Sequence, residues 1–170
     1  MSPRKRIIDD DGVLNAAARV LEHRRLEDIR LSDVALEAGL AAATLVQRFG
    51  TREVLLDAIG ETYIREIDAC FRQPAGSALD RLRSAIQQLP VAHHLKFYAA
   101  RPACASRYST ALRKNIGFCL VEAVERGEVP PCDVADTARR FQIELYGLAT
   151  AAFMENTGAF TLDHLVGELG

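Results

Sequence analysis

The chain has no tryptophan, two methionines and 6% aromatic residues. Its core must therefore come from leucine, isoleucine, valine and alanine rather than from large rings. Alternating apolar and polar runs are missing as well. Apolar residues recur instead at three- and four-residue steps, which excludes half-buried strands and points to an all-α fold. No apolar run approaches the roughly 20 residues that span a bilayer, and no charged, then apolar leader opens the chain; a cytoplasmic protein with no membrane partner is expected. Neither charge is in excess: 21 Lys and Arg stand against 23 Asp and Glu, a net charge of −2. Any nucleic-acid contact must then be local. The four cysteines, Cys70, Cys104, Cys119 and Cys132, lack a CxxC spacing and a histidine at metal-ligand distance, so reduced thiols and no metal are expected. A phosphate-binding glycine loop, a nucleophile elbow and a zinc-protease motif are all absent. His93 and His94 are adjacent and would point about 100° apart on a helix, a poor metal pair. They read as ordinary helix residues. No enzyme and no cofactor is expected.

What is present is concentrated between Leu31 and Phe49, LSDVALEAGLAAATLVQRF. Val34, Ala35 and Ala38 give one helix an apolar face, and Gly39 follows where a helix ends in a left-handed residue. Leu45 and Phe49, four apart, give a second helix its inward face and leave Thr44, Gln47 and Arg48 on its other sides. A supporting helix, a glycine corner and a helix with a free polar face make a helix-turn-helix. Gln47 suits adenine edges and Arg48 suits guanine edges or phosphate.

On these residues the run from Val13 to Ile59 resembles the DNA-binding domain of the tetracycline-repressor (TetR) family of bacterial transcription regulators. The resemblance is carried by Ala16-Ala17 and Leu21, by Asp33-Val34-Ala35-x-x-Ala38-Gly39-Leu40, by Thr44-Leu45-x-x-x-Phe49, and by Arg52-Glu53-x-Leu55-Leu56. It covers about the first third of the chain and implies a small DNA-binding head on a larger helical body, residues 1–50 with an arm at 1–8, then residues 51–170. Six positions depart from the family pattern. Ala41-Ala42-Ala43 stand where Ser-Lys-Gly is usual, Val46 where a phosphate-contacting tyrosine is usual, Ile29 where a capping threonine is usual, and Arg25 where a glycine is usual. An alanine entry leaves only backbone amides and the helix dipole for phosphate. Arg52 falls where the family often contacts phosphate. Arg4, Lys5 and Arg6 form an arm that can follow a backbone or enter a minor groove, or simply a solvated terminus.

The remaining pattern predicts about nine helices. Asp9, Asp10 or Asp11 can cap the first, and Thr51 caps a fourth that carries Leu55, Ile59, Tyr63, Ile67 and Phe71 at four-residue spacing, a natural lever from head to body. Ser77 to Asp80 opens a fifth and Pro90 ends it. A short sixth runs from Val91 to about Ala100. A seventh runs from about Cys104 to Arg126, with Gly127 ending it, and Asp133 caps an eighth that reaches about Glu155. Thr161 caps a last helix whose Leu162, Leu165, Val166 and Leu169 need covering; with Leu145, Leu148 and Ala152 of the eighth they form the expected homodimer interface, packing against the protein's own body being the alternative.

The family's body holds a ligand. If this chain follows that plan, Tyr63, Phe71, Phe97, Phe118, Phe141 and Tyr146 are wall residues and Tyr98, Tyr108 and Arg113 polar anchors, for an effector that is small and largely apolar and not otherwise identified. Each of them also suits a plain core. The expectation is a DNA-binding regulator, a repressor, that binds a palindromic operator in double-stranded DNA as a homodimer and is released by its effector. The alternative is a TetR-like ligand- or partner-binding module with weak or lost DNA binding.

Overall fold

The computed structural model describes residues 8–154, apart from the Phe153 side chain. Arg4, Lys5 and Arg6, and the last-helix residues Leu162, Leu165, Val166 and Leu169, lie outside the described residues. Within them are α1 Asp10–His23, α2 Leu31–Glu37, α3 Ala42–Phe49, α4 Arg52–Phe71, α5 Ala78–Gln88, α6 Val91–Ala99, α7 Pro102–Glu125 and α8 Val134–Met154, with one 3-10 turn at Leu26–Asp28 and no strand. The fold is all-α, as the periodicity requires. No helix among the described residues is long and apolar enough to cross a membrane. The chain divides into two compact units, residues 1–62 and 63–170, and the division falls inside α4.

In the first unit side chains and turn amides meet several of the helix ends, while α3 starts at Ala41 with no side-chain cap. The Asp9 carboxylate accepts from the Gly12 amide at 2.9 Å and starts α1, which buries Val13, Leu14, Ala16, Ala17 and Leu21. The 3-10 turn then leads into α2. The cap of α2 is Arg30 rather than Ile29, because the Asp33 carboxylate, three residues on, reaches back to accept from the Arg30 amide at 3.0 Å and holds Arg24 at 3.2 Å. That reach is the carboxylate half of a capping box, and the Asp33 amide, which a threonine hydroxyl at the cap would take, goes to the Arg30 carbonyl at 3.0 Å. Ile29 is instead buried in the core.

Gly39 closes α2 at φ +66°. The Gly39 amide donates to the Leu36 carbonyl at 3.1 Å and the Leu40 amide to the Ala35 carbonyl at 2.8 Å, the paired bonds of a Schellman turn. The turn sets α3 running with Leu45 and Phe49 buried. Thr51 then accepts from the Val54 amide at 3.3 Å and starts α4.

In the second unit α5, α6 and α8 pack on α7, and α6 also packs on α8. Ser77 caps α5 through the Asp80 amide at 2.9 Å. A second cap comes from far along the chain: Glu128 accepts from the Ala78 and Leu79 amides, both at 3.1 Å. Gly127, at φ +69°, ends α7 in another Schellman turn, with the Glu128 amide donating to the Ala123 carbonyl at 2.8 Å. That turn delivers Glu128 to α5, over a buried cluster of Ala78, Ala123 and Val129. Pro102 stands in the first turn of α7, where a proline lacks only an amide that had no helical partner. Asp133 caps α8 through the Asp136 amide at 3.0 Å.

Two measurements test these closures. A Cβ at Gly39 would meet nothing within 4 Å, so Gly39→Ala carries only the left-handed backbone penalty and lowers unfolding free energy by about 1–2 kcal/mol in urea titration. The two amide hydrogen bonds, first of all, hold the Glu128 carboxyl below its ordinary range. A carboxylate depressed in the folded state contributes fully above its unfolded value, near 4.3, and loses that contribution as pH falls through the folded value. Glu128→Gln therefore melts lower than wild type at neutral pH, and the gap closes below about pH 4.

Candidate functional site

On α3 the inward pair Leu45 and Phe49 leaves Ala42, Ala43, Val46 and Gln47 exposed and Thr44 half-buried. Val46 is 51% exposed. Arg48 points along the protein surface: its guanidinium donates to the Ile8 carbonyl at 2.7 Å and lies 3.5 Å from the Asp10 carboxylate, which leaves the side chain 25% exposed. The positive charge thus ties α3 to the start of α1. Asp10, near the start of α1, is the acidic neighbour of that charge.

Arg52 is committed in the same way. Its Nε donates to the Ile29 carbonyl at 3.0 Å, its Nη2 donates to the Leu26 carbonyl, and its Nη1 pairs with Glu53. The rigid fork of the guanidinium spans the two carbonyls that flank the 3-10 turn, so Arg52 fixes the approach to α2.

In the second unit the residues expected to gather round a ligand separate into four groups. Tyr98 and Tyr146 line an apolar cavity of about 670 Å³ between α6, α7 and α8, together with Ala92, Leu95, Lys96, Ala99, Pro102, Ala105, Ala149 and Thr150. Arg113 lies in a separate groove between α7 and α8. Phe71 and Phe118 border a smaller polar cleft with Arg81 and Cys119, Phe118 being 62% exposed. Tyr63, Phe97, Tyr108 and Phe141 are buried. Of the expected dimer residues, Leu145 and Ala152 are buried within the single chain and Leu148 is half-buried.

Two buried polar groups join these helices. Gln142 donates to the Ser109 carbonyl at 2.7 Å and to the Tyr146 hydroxyl at 2.9 Å, and accepts from Arg113 Nε at 3.1 Å. It fixes the Tyr146 ring at the cavity wall. His94 is fully buried, its Nδ1 3.0 Å from the Tyr108 hydroxyl, its ring stacked on Tyr63 at 4.2 Å. Its Nε2 is 3.2 Å from Glu66 Oε2 but outside hydrogen-bond geometry. Burial, first, holds the Tyr108 hydroxyl far above its ordinary range, so it stays a neutral partner. Tyr108 also packs on Tyr98 at 4.7 Å. Local spacing gave no sign of this, because each contact joins residues on different helices. Burial raises the Cys119 thiol, with Arg81 beside it opposing the shift. Cys70, Cys104, Cys119 and Cys132 are all free, and no group of acidic, histidine or cysteine residues among those described is arranged to hold a metal.

Residues 13–59 match the model of a family described as bacterial regulatory proteins, tetR family. The whole fold is similar to that of the fatty acid degradation regulator FadR from Bacillus halodurans, at 20% identity over 98% of this chain and 94% of that chain, TM-score 0.72. It is also similar to a transcriptional regulator from Rhodococcus sp. Rha1, at 18% identity over 95% and 96%, TM-score 0.75. A third similar structure is the transcriptional regulator FadR from Bacillus subtilis in complex with stearoyl-CoA, at 16% identity over 95% of each chain, TM-score 0.66. No curated protein matches the chain.

The Arg52 contacts predict a stability effect independent of any ligand. Arg52→Ala leaves the Leu26 and Ile29 carbonyls without their charged donor, and denaturant unfolding should show a loss of about 1.5–3 kcal/mol. Gln47→Ala, on the exposed face of α3, should shift the midpoint by no more than about 0.5 kcal/mol.

Proposed function

We infer, for a chain whose head is a tetR-family helix-turn-helix domain, a cytoplasmic transcriptional repressor that binds a palindromic operator as a homodimer and releases it when a small, largely apolar ligand enters the body. The observation that carries this reading is the Gly39-closed turn presenting α3 with its apolar side inward and Thr44 and Gln47 outward, the geometry by which such a helix enters a major groove. Homodimerisation is supported by the exposed face of α8, where Ile143, Gly147, Ala151 and Met154 follow one another at helical spacing.

The ligand reading rests on the cavity between α6, α7 and α8, whose size is that of a small-molecule site. An acyl chain, supplied as long-chain acyl-CoA, is the first apolar group to test, because a FadR of similar fold holds stearoyl-CoA. Ligand would act through a difference in affinity between two states of the dimer, and α4 is the helix shared by both compact units. The chain performs no reaction on this reading and needs no cofactor.

A second reading, a helical ligand- or partner-binding module without useful DNA binding, is favoured by one observation: Arg48 and Arg52 are both held by the protein's own carbonyls. Selection from random duplex DNA at two salt concentrations separates the two. Under the repressor reading a palindrome emerges and its affinity falls steeply with salt; under the second, only weak, sequence-blind binding appears. Ala149 is buried and lines the cavity. Ala149→Phe should fill it, so that acyl-CoA no longer releases the selected operator while ligand-free operator affinity stays within about twofold of wild type, as read by fluorescence anisotropy.

A further inference from the structure

The outward face of α3 carries almost no charge. Ala42, Ala43, Val46 and Gln47 are exposed there and fall within a sector of about 140° at 100° per residue. The helix's one cation, Arg48, is turned to the Ile8 carbonyl and Asp10. Methyl groups, a single carboxamide and, beside them, the half-buried Thr44 hydroxyl are therefore what this helix offers to a groove.

Each base pair presents a different edge to the major groove. Guanine shows two acceptors and is gripped by a forked or charged donor, which this face does not present. Cytosine shows an amino donor and suits a carboxylate, of which α3 has none. Thymine shows a C5-methyl group, which an apolar side chain contacts. Adenine shows an acceptor beside a donor, which a carboxamide matches with two hydrogen bonds. An exposed valine beside two exposed alanines is unfavourable in water and is relieved by contact with methyl groups.

We propose that α3 selects A·T base pairs, thymine through methyl contacts with Ala42, Ala43 and Val46 and adenine through Gln47, an assignment that rests on the DNA-binding reading above. Arg48 stays with Ile8 and Asp10 as a positioning residue that sets how α3 lies against α1. Sequence readout then depends on shape and methyl contact more than on charge.

The test uses the full chain and the palindrome selected from random duplex DNA. Each thymine of the half-site is replaced in turn by deoxyuridine, which keeps every hydrogen-bonding group and removes only the methyl. Two or more adjacent A·T pairs should appear in each half-site, and deoxyuridine at those positions should weaken binding roughly fourfold per methyl removed. Val46→Ala, whose side chain is outside the core, should reduce that sensitivity to deoxyuridine. Gln47→Ala should cut discrimination at one A·T pair by roughly fivefold to a hundredfold. A palindrome whose half-sites are read at G·C pairs, or one bound equally well with deoxyuridine throughout, overturns the base assignment and leaves the DNA-binding reading standing. Selection that yields no sequence at all overturns both.

Discussion

A helix leaves its first amides and last carbonyls without partners of their own, and a protein made of helices joined by short turns must meet that need at every junction. In this chain many of the junctions are met by a small set of side chains and by three glycines at positive φ, Gly39, Gly50 and Gly127. Asp9, Asp33, Thr51, Ser77, Glu128 and Asp133 take amides at helix starts, while Gly39 and Gly127 turn the chain so that the next two amides close α2 and α7. Arg52 does for the 3-10 turn what caps do for helices, by donating to two carbonyls. Where they occur, these closures set how one helix hands the chain to the next; α3, α6 and α7 start with no side-chain cap.

The same economy governs charge. Arg48 and Arg52 lie in the stretch where a nucleic-acid contact is expected, yet both are held by backbone carbonyls and acidic neighbours. Their fixed geometry rigidifies the head and leaves a surface of methyl groups and one carboxamide on α3. In the second unit Gln142 and His94 play the equivalent internal part, setting Tyr146 directly, and Tyr98 through Tyr108, at the wall of an apolar cavity. In both units polar side chains hold neighbouring elements still.

Much of this was legible in the sequence because it is local. Spacing alone placed α1 to α8 to within a few residues, and the turn at Gly39 and the caps at Thr51, Ser77 and Asp133 were readable from residues three or four apart. The cap of α2 was misplaced at Ile29: it falls one residue later, at Arg30, where the Asp33 carboxylate takes the cap amide. The 3-10 turn had no periodic signal in three residues. Contacts between distant positions were not readable: Glu128 on α5, Arg48 on Ile8, His94 between Tyr108 and Glu66. Of the residues expected to line a ligand site, spacing identified aromatic side chains but not which inter-helix space each would face, so Tyr98 and Tyr146 fell together and Arg113 and Phe118 elsewhere.

The turn after α7 has a consequence for how the chain tolerates change in length. Residues 127–133 lie outside helices, include Pro130 and Pro131 and are mostly exposed, features that commonly mark a site open to insertion. Its first two residues are different in kind from the rest. Gly127 aims the backbone and Glu128 anchors α5, so a single residue added between them would carry the carboxylate out of register and free the start of a helix some fifty positions earlier. Added after Pro131, the same residue would lengthen only the approach to Asp133. A surface loop of seven residues is thus divided, within the space of a few bonds, into a segment of fixed length and a segment of free length.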